Sequence, residues 1–301
     1  MHLDAATILL QWATGGLAFL WVTTRGRLVS LGYGWLLRGV FGVLAIGAFF
    51  AELRSGHTGT GHAVFLGASA GVVLAASVAL LVSVVRRRAG VGAARARREA
   101  SARRVAAMTG RGADAGSEAA AEPADVTADA PAPAGREFPP ALDLVAPPIG
   151  VVGLLAAATF TGGGTALAAA RLVVGAAFLG VVTDAMLLGH WYLTQPGLPR
   201  APIKELVRWA AYVWPVEVVL FLLPPGMVGV VSGAHSDGYG GLLGWMWVVC
   251  AITTGVLLVV TWLALRERSY SAVMAATGLL YLAILTAFGL DLVARALLSG
   301  H

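Results

Sequence analysis

Apolar residues in this chain run in unbroken windows of roughly 20 residues, the length of helix needed to cross a hydrocarbon core. The windows fall near residues 5–24, 34–53, 63–85, 146–162, 166–193, 204–231, 241–265 and 271–298. The pattern predicts an all-α polytopic membrane protein with about eight transmembrane helices, three before and five after a polar interruption. It divides the chain into a three-helix membrane segment (1–85), a linker (86–145) and a five-helix membrane segment (146–301). The fourth window is the shortest and opens on Pro147 and Pro148.

Composition agrees with that pattern. The chain is 58% hydrophobic and 12% charged with a mean hydropathy of +0.79, whereas soluble proteins are about 25% charged. Thirty-nine glycines, in spacings such as Ala176xxxGly180 and Gly47xxxAla51, suit membrane helices whose backbones approach closely. The single cysteine, Cys250, excludes an intrachain disulfide and a CxxC metal or redox motif.

A net charge of +5 and a pI near 9.9 do not point to nucleic acid, because the basic residues gather in one class of loop. Arg25 and Arg27, the series from Arg86 to Arg111, then Arg200, Lys204 and Arg208, and finally Arg266 and Arg268 fall on the same side of an eight-span chain. The positive-inside bias makes that side the cytoplasm, with both termini extracytoplasmic in a cytoplasmic (inner) membrane of bacterial type. The opposite side receives Arg54, Arg171 and Arg295, each near a helix end, where a long side chain is expected to snorkel to the headgroups. The opening MHLDAATILLQW has no basic n-region and no small-residue cleavage site, so it reads as the first span rather than a signal peptide.

The linker has two parts. RRRAGVGAARARREASARRVAA is basic and Ala-rich and reads as a helical extension against anionic lipid. After Arg111 the composition turns to Ala, Pro, Gly and the acids Asp114, Glu118, Glu122, Asp125 and Asp129, a composition that favours disorder. It is either a docking or regulatory tail, with other membrane subunits as candidate partners, or a tether whose arginines enforce topology. A weak repeat relates Trp21, Arg25, Arg27, Ser30 and Arg54 to Trp262, Arg266, Arg268, Ser271 and Arg295 at identical relative spacing.

Ionisable groups within the spans are retained mainly when they have a partner or a task. Asp184 and His190 lie on the fifth span and Glu217 on the sixth, an antiparallel hairpin that places the two acids at similar depth. His190, Arg208 and Tyr212 lie nearer the basic end, completing a polar ladder able to take up and release protons inside the membrane. The alternative is that the acids only hold helices together, with His190 in an aromatic belt beside Trp191 and Tyr192. Pro215, Pro224 and Pro225 mark the sixth span for a kink or break.

Histidines supply a second constellation. The loops ELRSGHTGTGH and SGAHSDGYG bring His57, His62, His235 and Asp237, with Glu52, to the same side as ligands for copper or zinc. A haem would have to use His190 with Met186 or Met274, because no second histidine lies within the spans. No phosphate loop, dinucleotide fingerprint, GxSxG elbow or HExxH occurs. Three functions fit: a proton relay, as in a proton-coupled transporter or a respiratory-complex accessory subunit; a haem- or copper-handling redox protein; and a structural or assembly protein.

Overall fold

The computed structural model describes residues 4–86, 102–103, 105, 138–160, 165–195, 197–224, 226–267 and 269–298. The basic and acidic linker readings, His2, His301, Pro196, Pro225 and Arg268 lie outside those residues. The described chain is all-helical: α1 (Ala5–Thr24), α2 (Leu31–Ser55), α3 (Thr60–Val85), a 3-10 turn (Pro140–Leu144), α4 (Ala146–Phe160), α5 (Thr165–Thr194), α6 (Ala201–Leu222), the short α7 (Met227–Val231), α8 (Leu242–Ala264) and α9 (Tyr270–Leu298).

Seven of these stretches are long and apolar enough to cross a membrane. The eighth expected span, α6, has 22 residues but carries Lys204, Glu205, Arg208 and Glu217; it packs between α5 and α8. The outer faces are as apolar as the core: Val43 is 64% exposed, Leu74 66% and Leu285 69%. Helices apolar all round need a non-aqueous surround.

Two spans differ from their expected limits. The sixth does not run on to residue 231; the helix is continuous through Pro215, ends at Leu222 before Pro224, and resumes as α7. The helix of the fourth begins at Ala146, as expected, and ends at Phe160; the 3-10 turn Pro140–Leu144 precedes it and prolongs the apolar stretch. The residues just before it are ordered because Asp143 is drawn into the bundle. Its carboxylate receives two hydrogen bonds from Arg38 of α2, both 2.7 Å, and one from the Thr24 hydroxyl at 3.0 Å. Arg38 and Asp143 are both buried, and the Phe138 ring lies 4.3 Å from the guanidinium carbon. A bidentate pair of this kind is strongly coupled once desolvated.

Short loops make α1 and α2, α2 and α3, α5 and α6, and α8 and α9 antiparallel neighbours. One end of the bundle therefore carries the α1–α2, α5–α6 and α8–α9 loops, with their arginines. Arg25 pairs there with Glu205, and Arg200 donates to the Ser269 carbonyl at 2.8 Å. The opposite end carries the α2–α3 and α6–α8 connections.

The centre of the bundle is α5, packed against α1, α4, α6 and α9. Its closest approach is to α1, where an added Cβ on Gly15 would stand 1.7 Å from the Ala176 carbonyl oxygen and one on Gly180 would stand 2.1 Å from the Gly15 carbonyl carbon. Backbone meets backbone there, so no side chain fits. Gly39 of α2, by contrast, has nothing within 4 Å of its added Cβ. Gly180→Ala is expected to cost about 1–3 kcal/mol by overpacking. Gly39→Ala is expected to be neutral or to stabilise by up to about 1 kcal/mol through helix propensity. Melting of the two variants in detergent separates a close helix contact from a loose one.

Candidate functional site

The main polar site is built from four helices near the end opposite the arginine-rich loops. Counted at 1.5 Å per residue, Gln11 of α1, Arg171 of α5, Glu217 of α6 and Asp291 of α9 all lie roughly 7–11 Å inside the helix ends at that side, and Arg295 about one turn shallower. All five are buried, Gln11, Glu217 and Asp291 completely.

Two of these residues satisfy each other. Arg295 donates to both Asp291 oxygens, at 2.7 and 2.8 Å, one helical turn apart on α9. Arg171 has a different task. Its Nε and Nη2 donate to the Leu220 and Leu223 carbonyls at 2.9 and 2.8 Å, which satisfies the open C-terminus of α6 where Pro224 stops the helix. Phe221 lies between the two guanidiniums, with its ring centre 5.8 Å from the Arg171 carbon and 6.0 Å from the Arg295 carbon. Snorkelling to the headgroups is therefore not what these two arginines do. Both turn inward, because buried carboxylates and unpaired carbonyls offer stronger partners than a helix-end position requires.

Glu217 and Gln11 are unsatisfied. Neither polar atom of the Gln11 amide has a hydrogen-bond partner among the described residues, and Glu217 receives no hydrogen bond from an arginine or an amide there, its carboxyl lying instead against that of Asp291. The charged groups acting on Glu217 are Asp291, Arg295 and Arg171. Gly175 makes room for the cluster: the position of an added Cβ lies 2.1 Å from Gln11 Nε2, 2.9 Å from Arg295 Nη2 and 3.1 Å from Asp291 Oδ1. Two carboxylates and two guanidiniums balance when all are ionised, and a proton on Glu217 leaves one net positive charge.

The other members of the expected ladder are not brought to this place. Asp184 is fully buried with both carboxylate oxygens unpartnered, beside Tyr33, whose hydroxyl donates to the Asp184 carbonyl at 3.4 Å. It lies thirteen residues from Arg171 along α5, about 20 Å. The Gly15–Ala176–Gly180 contact stands between the two levels. His190 is exposed and meets the Tyr281 hydroxyl at 3.0 Å through Nδ1. Arg208 is exposed and Tyr212 is 61% exposed, so both face outward from α6. Met274 is 52% exposed; with His190 it offers a porphyrin an outer surface rather than an enclosed slot.

The histidine constellation divides as well. Glu52, His57 and His62 converge, with their donor atoms all within 4.8 Å of one another. His235 and Asp237 are not part of that group. Asp237 instead accepts four backbone N–H bonds, from Tyr239 (2.9 Å), Gly241 (2.8 Å), Leu243 (2.8 Å) and Gly244 (3.4 Å), and so organises the entry into α8.

The repeat holds only locally. Arg25 stacks over Trp21 at 4.9 Å and Arg266 over Trp262 at 3.6 Å, but Arg54 is exposed where Arg295 is buried. Comparison with protein families, with curated proteins and with solved structures finds no match for this chain.

The amides around Asp237, that of Gly241 foremost, hold its carboxyl below the ordinary aspartate range. A carboxylate whose folded pKa is depressed contributes order above its unfolded pKa and loses it as the pH falls through the folded value. The Gly241 and Leu243 amide resonances should titrate with a midpoint below about 3.9, and this step should vanish in Asp237→Asn. A midpoint at or above that value contradicts the capping role.

Proposed function

We propose that this integral membrane protein takes up a proton at Glu217 inside its helix bundle and couples that event to movement of a small solute or ion, in the manner of a proton-coupled transporter. The observation that carries the reading is a fully buried carboxylate with no arginine or amide hydrogen bond, set against the Asp291 carboxyl and near Arg295 and Arg171. An ionised carboxylate so placed is costly, and a proton or a donor-bearing ligand removes the cost. The unsatisfied Gln11 amide supplies a second contact for such a ligand.

The packing favours a moving carrier over a fixed proton wire. Asp184 is the next buried acid toward the arginine-rich end, and the glycine contact between α1 and α5 separates it from Glu217. Exchange between the two levels calls for a displacement of α1 against α5.

The arginine-rich loops support an orientation with their end in the cytoplasm and both termini outside a bacterial-type inner membrane. Anionic lipid is the partner we assign to the linker arginines, and other membrane subunits the candidate partners of the acidic stretch beyond them, on composition.

Infrared difference spectra of the reconstituted full-length protein, recorded between neutral and mildly acidic pH, test the assignment. A protonated-carboxyl band is expected in the wild type and should be lost in Glu217→Gln, with a melting temperature within about 2–4 °C of the wild type. A band unchanged in Glu217→Gln, or collapse of the fold on this isosteric change, would make the acid a packing element instead.

A further inference from the structure

At the α2–α3 connection, apart from the intramembrane acids, we propose a binding site for one divalent transition-metal ion of the zinc or copper(II) class, held by Glu52, His57 and His62. Two imidazoles and one carboxylate are the ligand types that select such an ion over magnesium or calcium, which prefer all-oxygen sites. Three protein ligands leave one coordination position open, the arrangement of reactive or exchangeable rather than purely structural zinc sites.

The hairpin builds the site from residues ten positions apart. Glu52 lies in the last turn of α2 and His62 in the first turn of α3. The intervening chain reverses through Gly56 and Gly59, whose φ angles of 69° and 125° suit glycine. Ser55 fixes the turn, donating to the Glu52 carbonyl at 2.7 Å and accepting from the His57 N–H at 3.2 Å.

Three features go beyond a simple ion pair. Glu52 contacts His62 through Oε1, yet its other oxygen is buried with no hydrogen-bond partner. His57 Nδ1 stands 3.9 Å from Glu52 Oε1, too far for a hydrogen bond. Ligands on one tetrahedral ion with bonds of about 2.0–2.1 Å stand roughly 3.4 Å apart, close to that separation. The two imidazoles stack with centroids 4.6 Å apart, and His62 is held from behind by Phe160 at 3.9 Å. A ligand ring already fixed in orientation loses little freedom when it binds metal.

Zn²⁺ titration of the detergent-solubilised full-length protein against a chromophoric chelator, repeated with Cu²⁺, tests the site. The expected result is one ion per chain, with affinity reduced at least about tenfold in His57→Ala and His62→Ala, unchanged in His235→Ala, and a melting temperature raised by metal only where the site is intact. His57 is exposed, so its replacement leaves folding unaffected and keeps the test decisive. No saturable binding of either ion overturns the proposal. So does binding that persists in His57→Ala and His62→Ala, or that falls equally in His235→Ala.

Discussion

A guanidinium or carboxylate inside a bundle of apolar helices must find an opposite charge or a set of hydrogen bonds, and the partners it finds decide which helices touch. Arg38 reaches across to Asp143 and draws the segment before α4 against α1, α2 and α3. Arg295 closes on Asp291 within α9 and packs it toward α5. Arg171 takes the carbonyls that Pro224 leaves open at the end of α6. Hydrophobic burial cannot choose between helix neighbours when lipid is as apolar as leucine, so polar pairs and small-residue contacts make that choice.

Against this satisfied framework the two unsatisfied acids stand out. Asp143 and Asp291 each have a bidentate arginine, whereas Glu217 and Asp184 have none. The difference separates acids neutralised by an arginine from acids that have none. Glu217 differs further from Asp184 in sitting among other charged groups, where gaining or losing one proton changes the balance of the whole cluster.

Much of the architecture was legible from hydropathy alone, because an apolar run of span length has few alternatives. The ends of the fourth and sixth spans were not, since they depend on contacts between distant residues: Asp143 with Arg38, and Arg171 with the carbonyls after Val219. Asp184 and Glu217 were visible as acids within spans. Their separation was not, because it depends on where the two helices end at the turn: Asp184 stands ten residues from Thr194 and Glu217 sixteen from Ala201. Arg38 sits seven residues inside α2, and it was an available signal: an arginine at that depth implies a buried acid. Asp291 carried the same signal one turn before Arg295. Of the histidine constellation, His57 and His62 lie together with Glu52, while Asp237 belongs to local backbone capping that loop composition does not reveal.

The account rests on arginines that turn inward to buried acids instead of outward to headgroups. An experimental density map of the protein in a lipid bilayer tests this directly. It should show the Arg171 guanidinium on the Leu220 and Leu223 carbonyls and Arg295 on Asp291, with Glu217 enclosed beside them. Side chains of Arg171 and Arg295 extended to the lipid headgroups, or Glu217 facing acyl chains, would contradict it.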